Sequence, residues 1–120
     1  MISHQNVIAQ CLQIAQITPG DHKKILAVLP SFHITGLVHA LHLPILLNAE
    51  VYMLSAFTMP AMLDTVVKYQ IGELLLVPPI LIRMVRDKVV DEYDLSCVKR
   101  FSSGGESTLF PVQWLSGRTC

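Results

Sequence analysis

Leu29-Pro30-Ser31-Phe32-His33-Ile34-Thr35-Gly36-Leu37 closes an unbroken apolar run, residues 25–29, with a proline. It then offers an aromatic ring, an imidazole, a hydroxyl and a glycine before a second apolar run begins. A buried strand, a polar corner and a helix is the order in which open α/β sheets place their ligands, because the carboxyl ends of parallel strands border the crevice. Outward from this stretch the rhythm repeats three more times, and the last repeat ends in a second polar corner, Ser102-Ser103-Gly104-Gly105-Glu106.

Taken in order, Ser3 is a suitable N-cap for a first helix in which Val7, Ile8, Cys11, Leu12, Ile14 and Ala15 recur at helical spacing. Thr18-Pro19-Gly20-Asp21 stops it. Residues 25–29 read as a strand covered on both faces, as in parallel sheets. Residues 36–48 have helical length and are apolar nearly all round, which predicts a buried helix, bent or ended early by Pro44. Residues 50–54 make the second strand. Thr58 or Met59 with Pro60 opens the next helix, and Gly72 closes it as a C-cap glycine. Residues 74–77 form the third strand, ended by Pro78-Pro79, and 80–90 form a helix. Asp94-Leu95-Ser96 is a turn, and 98–102 are the fourth strand. Strands alternating with helices imply βαβ crossovers and a mostly parallel, four-stranded sheet, so the fold class is α/β. Residues 110–120 show neither period nor cap, and a sheet stopping there leaves a bare edge. The expectation is an incomplete domain over residues 1–109 followed by an atypical tail, 110–120.

The chain is 52% hydrophobic and only 15% charged, against about 45–50% and a quarter in ordinary domains. That excess of apolar side chain fits a piece of a larger assembly. Nine basic and nine acidic residues cancel, with no run of like charge, which argues against nucleic acid or an anionic membrane as partner. Cys11, Cys97 and Cys120 are far apart and give no metal spacing or disulfide framework, so a reduced intracellular setting, cytoplasmic or organellar, is expected. Residues 25–49 are apolar enough to suggest a membrane span, but Pro30, His33, His39, His42 and Pro44 interrupt them, which argues against one.

His33 stands at a strand end, where an imidazole is more often a core group bonded to backbone than the polar tip of a pocket. His39 and His42 have the i, i+3 spacing of a metal pair but lack a third ligand. Gly104 and Gly105 after a strand let backbone approach a flat or anionic ligand, or simply make a turn. No P-loop or dinucleotide glycine pattern is present, and no catalytic triad, carboxylate pair or Cys–His pair can be assembled.

Several spaced segments together resemble the acyl-adenylate-forming enzymes: acyl-CoA synthetases, luciferases and peptide-synthetase adenylation domains, in particular the 4-coumarate–CoA ligase branch. Residues 29–37 resemble that family's LPxFHxxGL segment, and Ser3-His4-Gln5-Asn6-Val7 its SHxNV helix start. Lys68-Tyr69 through Val77-Pro78-Pro79-Ile80 resemble its KYKVT…VPPI strand, and Tyr93-Asp94-Leu95-Ser96 with Phe101-Ser102-Ser103-Gly104 its YDLSSL…SGAAPL ending. The resemblance covers residues 3–109.

It implies an activity that makes an acyl-AMP from a carboxylic acid and ATP and passes the acyl group to a thiol, usually coenzyme A. It places His33, with Thr35 beside it, at the substrate, between acyl pocket and thiol tunnel. It lays Gly104, Gly105 and Glu106 against adenine, with Gly105-Glu106-Ser107 standing where the family commonly has Ala-Ala-Pro. The family's phosphate loop with its lysine belongs before Ser3. Its Tyr-Gly-x-Thr-Glu motif, ribose-binding aspartate and C-terminal domain with the catalytic lysine belong after residue 109. The Mg2+ site therefore lies outside these residues, no catalytic residue is assigned, and the chain alone is expected to be inactive. The alternative is a non-catalytic interaction or decoy module that keeps part of the acyl pocket.

Overall fold

In a computed structural model, residues 1–17 and 23–103 are described, and they fall into two compact units, one over Met1–Met53 and one beginning at Leu54.

In the first unit, α1 (His4–Ile17) starts where expected. The Asn6 N–H donates to Ser3 Oγ at 3.2 Å, and the same hydroxyl donates to Asn6 Oδ1 at 2.9 Å. Strand β1 (Lys24–Ala27) buries two successive residues, Ile25 and Leu26, so both of its faces are covered. A continuous helical run follows: α2 (Ile34–Gly36), a π-helical segment (Leu37–His42) and α3 (Leu43–Leu47). Strand β2 (Glu50–Met53) lies parallel to β1, with Lys24 opposite Glu50 and Ala27 opposite Met53. The core holds Cys11, Ile25, Val38 and Leu43, with Val7, Ile14, Leu47 and Ala49 packed against it.

Two expectations for this unit are corrected. Pro44 neither ends nor breaks the helix. The Leu43 N–H reaches back five residues to the Val38 carbonyl, and this wider hydrogen-bond register brings Pro44 into the first turn of α3, where its missing N–H costs little. Nor is the run buried all round. Val38, Leu43 and Pro44 are buried, whereas Leu41, Leu46 and Ile45 are exposed, Ile45 at 76%.

The second unit opens with α4 (Met59–Tyr69), capped by Thr58, whose Oγ1 accepts the Ala61 N–H at 3.2 Å. Met59, Met62, Leu63 and Val66 line its buried side, as the 3.6-residue period requires. Its left-handed C-terminal residue is Gln70 (φ 55°), not Gly72. Gln70 Nε2 donates to the Val67 carbonyl at 2.7 Å, satisfying an acceptor that the helix end leaves open. Gly72 instead receives the Lys99 and Arg100 N–H groups on its carbonyl, at 2.8 and 3.1 Å, and so guides the last strand in.

Strand β3 (Glu73–Leu76) alternates half-buried and buried residues. Helix α5 (Pro78–Arg86) begins on the two prolines expected only to end the strand, because proline suits the first turn of a helix. A 3-10 segment (Lys88–Glu92) and an Asx turn at Asp94, whose Oδ1 accepts the Ser96 N–H at 3.0 Å, lead to β4 (Arg100–Ser103). β4 lies parallel to β3, with Glu73 opposite Arg100. The α/β class with parallel pairing holds. The four strands, however, form two two-stranded sheets, β1 with β2 and β3 with β4, in place of the single four-stranded sheet expected.

Candidate functional site

The polar corner after β1 is a closed turn. The His33 N–H donates to the Pro30 carbonyl at 3.1 Å, and the His33 carbonyl accepts from Leu37 N–H at 2.9 Å. His33 itself is extended (φ −92°, ψ 144°), and its Nδ1 accepts the Thr35 N–H at 3.3 Å. An imidazole thus occupies the N-cap position usually held by Ser, Thr, Asp or Asn. A backbone N–H only donates, so Nδ1 is bare, and in the neutral ring the proton sits on Nε2.

Gly36 is buried beneath this turn. A Cβ there would stand 2.2 Å from the Pro30 carbonyl oxygen and 2.7 Å from its carbon. The glycine is dictated by this contact with backbone, not by an unusual φ. Ser31, Phe32, His33 and Ile34 face outward, Phe32 at 93% exposure, and Thr35 is half-buried. The structure therefore brings the two substrate candidates together, the Thr35 backbone orienting the His33 ring at the carboxyl end of β1.

Further along the same run, His42 Nδ1 lies 2.7 Å from the Leu37 carbonyl. A carbonyl only accepts, so here Nδ1 carries the proton. His33 and His42 hold opposite tautomers. Among the described residues no group of three or more His, Cys, Asp or Glu is placed to hold a metal ion.

Gly104, Gly105 and Glu106, the adenine candidates, lie outside the described residues. The strand leading to them is fixed at its start. Glu73 Oε1 accepts the Ser102 hydroxyl at 2.9 Å and stands 3.9 Å from Arg100 Nε.

Cys11, Cys97, Tyr93 and Asp94 suit structural roles. Burial pushes the Cys11 thiol up. Burial also raises Cys97, whose Sγ points at the Val66 carbonyl at 3.8 Å. Neither is an activated thiol. Tyr93 is raised, first by its hydrogen bond to Asp64, while the Ser96 backbone N–H lowers Asp94. The His33 cap and the Gly36 contact escaped the sequence reading. Its one usable signal was a glycine three residues after the histidine that follows a strand-ending proline.

The AMP-binding enzyme family matches residues 1–113. The chain is 31% identical over 106 residues to a probable 4-coumarate–CoA ligase 1 of Dictyostelium discoideum, covering 86% of this chain and 19% of that protein. It is 35% identical over 107 residues to the peroxisomal OPC-8:0-CoA ligase 1 of Arabidopsis thaliana, covering 86% and 20% respectively. The structure is similar to that of a natural red-emitting luciferase from Phrixothrix hirtus, with a TM-score of 0.79 and 26% identity over 98% of this chain and 22% of the other. The chain spans about a fifth of the length of the relatives it matches. No helix among the described residues is long and apolar enough to cross a membrane.

Proposed function

This chain belongs to the AMP-binding enzyme family, and from that premise we propose that it is part of an acid–thiol ligase resembling the 4-coumarate–CoA ligases. Such an enzyme activates a carboxylic acid with ATP to an acyl-AMP and passes the acyl group to a thiol such as coenzyme A. The observation that carries the reading is the corner after β1. It turns an imidazole outward with its Nε2 proton available, in a chain about a third identical to acid–CoA ligases. In this reading His33 and Thr35 contact the acid, and Gly104, Gly105 and Glu106 lie against adenine. Residues 1–109 are the partial AMP-binding domain and 110–120 a tail outside its pattern.

Magnesium would supply charge neutralisation on the phosphates, and the described residues offer no group of ligands to hold it. The 120 residues contain no glycine-rich loop followed by a lysine. The chain alone therefore holds the acid without adenylating it, because fixed charge aimed at the transferring group is the largest part of such catalysis. Cys11 and Cys97, the two cysteines among the described residues, are unbridged, which favours an intracellular setting, cytoplasmic or organellar.

Two measurements test this. Titration of the labelled chain with 4-coumarate is expected to move amide resonances within 29–37, and no movement at millimolar acid would remove the acyl-site assignment. ATP–pyrophosphate exchange by the purified chain is expected to stay at the blank, and acid-dependent exchange above it would remove the claim of inactivity. The second reading, a non-catalytic interaction or decoy module, draws on exposed Leu41, Ile45 and Leu46. It gains if the transcript carries a start and a stop flanking these residues.

A further inference from the structure

We propose that Gly36 is a positioning residue for His33: it lets the first turn of α2 sit on the Pro30 carbonyl, and so holds the imidazole with Nδ1 on the Thr35 N–H and Nε2–H presented as a fixed donor. The inference deepens the acid-ligase reading, on which it rests only for the identity of the ligand.

The turn is closed at both ends by the same few atoms. The Pro30 carbonyl accepts the His33 N–H at 3.1 Å and is also the group a side chain at 36 would strike. The three nearest atoms to a Cβ there, Pro30 O at 2.2 Å, Pro30 C at 2.7 Å and Leu29 O at 3.1 Å, are all backbone. None can swing aside as a side chain would. A methyl group must therefore lift residues 29–33 away from α2, and His33 moves with them, losing its 3.3 Å bond to Thr35. The geometry also settles what the ring offers. An Nε2–H donor recognises an acceptor oxygen, such as a carboxylate or acyl carbonyl, and at that nitrogen it has no lone pair with which to take a proton from a thiol.

The experiment uses the 120-residue chain labelled with 15N, its histidine rings observed through long-range proton–nitrogen correlations at about pH 8.5, where an ordinary imidazole is neutral. His33, assigned by the loss of its signals in His33→Gln, is expected to show a protonated Nε2 and a bare Nδ1. His42 is expected to show the reverse and serves as the internal reference. Averaged tautomers or an Nδ1–H ring at His33 in the wild-type chain would overturn the proposal. In Gly36→Ala the His33 pattern is expected to average while His42 keeps its Nδ1 proton, and an unchanged His33 also overturns it. Val38→Ala, a buried change in the same unit, should lower the melting temperature and leave both rings as they were, which separates positioning from general loosening. If the alanine at 36 prevents folding, Thr35→Pro removes the donor N–H within the first helical turn. Averaging at His33 then supports the proposal, and a retained Nε2–H tautomer refutes it. None of these spectra needs ATP or acid. Failure of 4-coumarate to bind leaves them standing, and their failure removes the presented Nε2–H while the family membership over residues 1–113 stands.

Discussion

The two units build the same element, a parallel pair of four-residue strands, by different means. Each pair opens with opposite charges in register, Lys24 with Glu50 and Glu73 with Arg100. Beyond that they part. In the second unit the helix preceding its strands follows ordinary propensity: a threonine cap, proline in the first turn, and Met59, Met62, Leu63 and Val66 on one buried side. In the first unit the crossover is capped by an imidazole, passes through a π segment and carries an internal proline, with a glycine pressed against a turn. Departures from local rules cluster where function is carried. Here they collect within a dozen residues of the corner that resembles an acyl site. The contrast teaches that the second unit follows local propensity, whereas the first depends on a close backbone contact at its corner.

The largest effect expected lies in the packed unit. Leu63 is fully buried, so Leu63→Ala should cost about 2–5 kcal/mol in a urea titration. A cost below about 1 kcal/mol would mean that this helix is no better packed than its counterpart, and the contrast would fail.

Next come Gly36 and Gly72, the two glycines among the described residues, which should respond with opposite signs. Gly36→Ala drives a methyl into backbone and should lose about 1–3 kcal/mol. At Gly72 the nearest atom to a Cβ is the Cys97 carbonyl oxygen, at 3.7 Å. Gly72→Ala should therefore be neutral, or gain up to about 1 kcal/mol by restricting the unfolded chain. Equal losses at both positions would show that the turn over Gly36 is not specially tight.

The caps sharpen the comparison further. Thr58→Ala should cost about 1 kcal/mol. His33→Asn, which supplies a better capping oxygen, should hold or raise the melting temperature while abolishing the 4-coumarate-induced shifts. A cap that weakens with asparagine would mean that the imidazole is there for the helix and not for a ligand.

The smallest effect is electrostatic and belongs to the second unit. The Ser96 N–H holds Asp94 below its ordinary value of 3.8. A carboxyl lowered on folding contributes fully above that value, and its contribution disappears as pH falls through the lower folded value. Urea midpoints taken between about pH 5 and pH 2 should therefore fall more steeply for the wild type than for Asp94→Ala. Parallel curves would remove the Asx turn from the account.

Much of this was legible because local chemistry decides it. Ser3 and Thr58 cap where their hydroxyls accept the N–H three residues on, and Asp94 turns the chain by accepting the N–H two residues on. The buried side of α4 follows from its period. What escaped depends on partners distant in sequence or on a shift of register. Pro78 and Pro79 read as a strand stop and are also a helix start. Gly72 looked like a helix terminator, but Gln70 takes the left-handed position because its own amide bonds the last turn. The alternation of strands and helices fixed four parallel strands but not their division into two pairs, since pairing is set by hydrogen bonds between segments and not within them. At the candidate site, the family resemblance, and not residue types, singled out His33 and Thr35. Which nitrogen faces out, and that Gly36 holds it there, required the distances to Thr35 and Pro30.

The π segment leaves the first crossover with slack in its length. An α-helix turns about 100° per residue, so deleting one residue from the middle of α4 would swing everything after it away from its buried side. Between Leu37 and His42 the wider turn already holds more residues than an α-turn needs. Removing one there lets the turn tighten to the ordinary winding, with the flanking stretches still facing as before. Deleting a single residue in this region is thus expected to keep both the histidine corner and the Leu43 anchor.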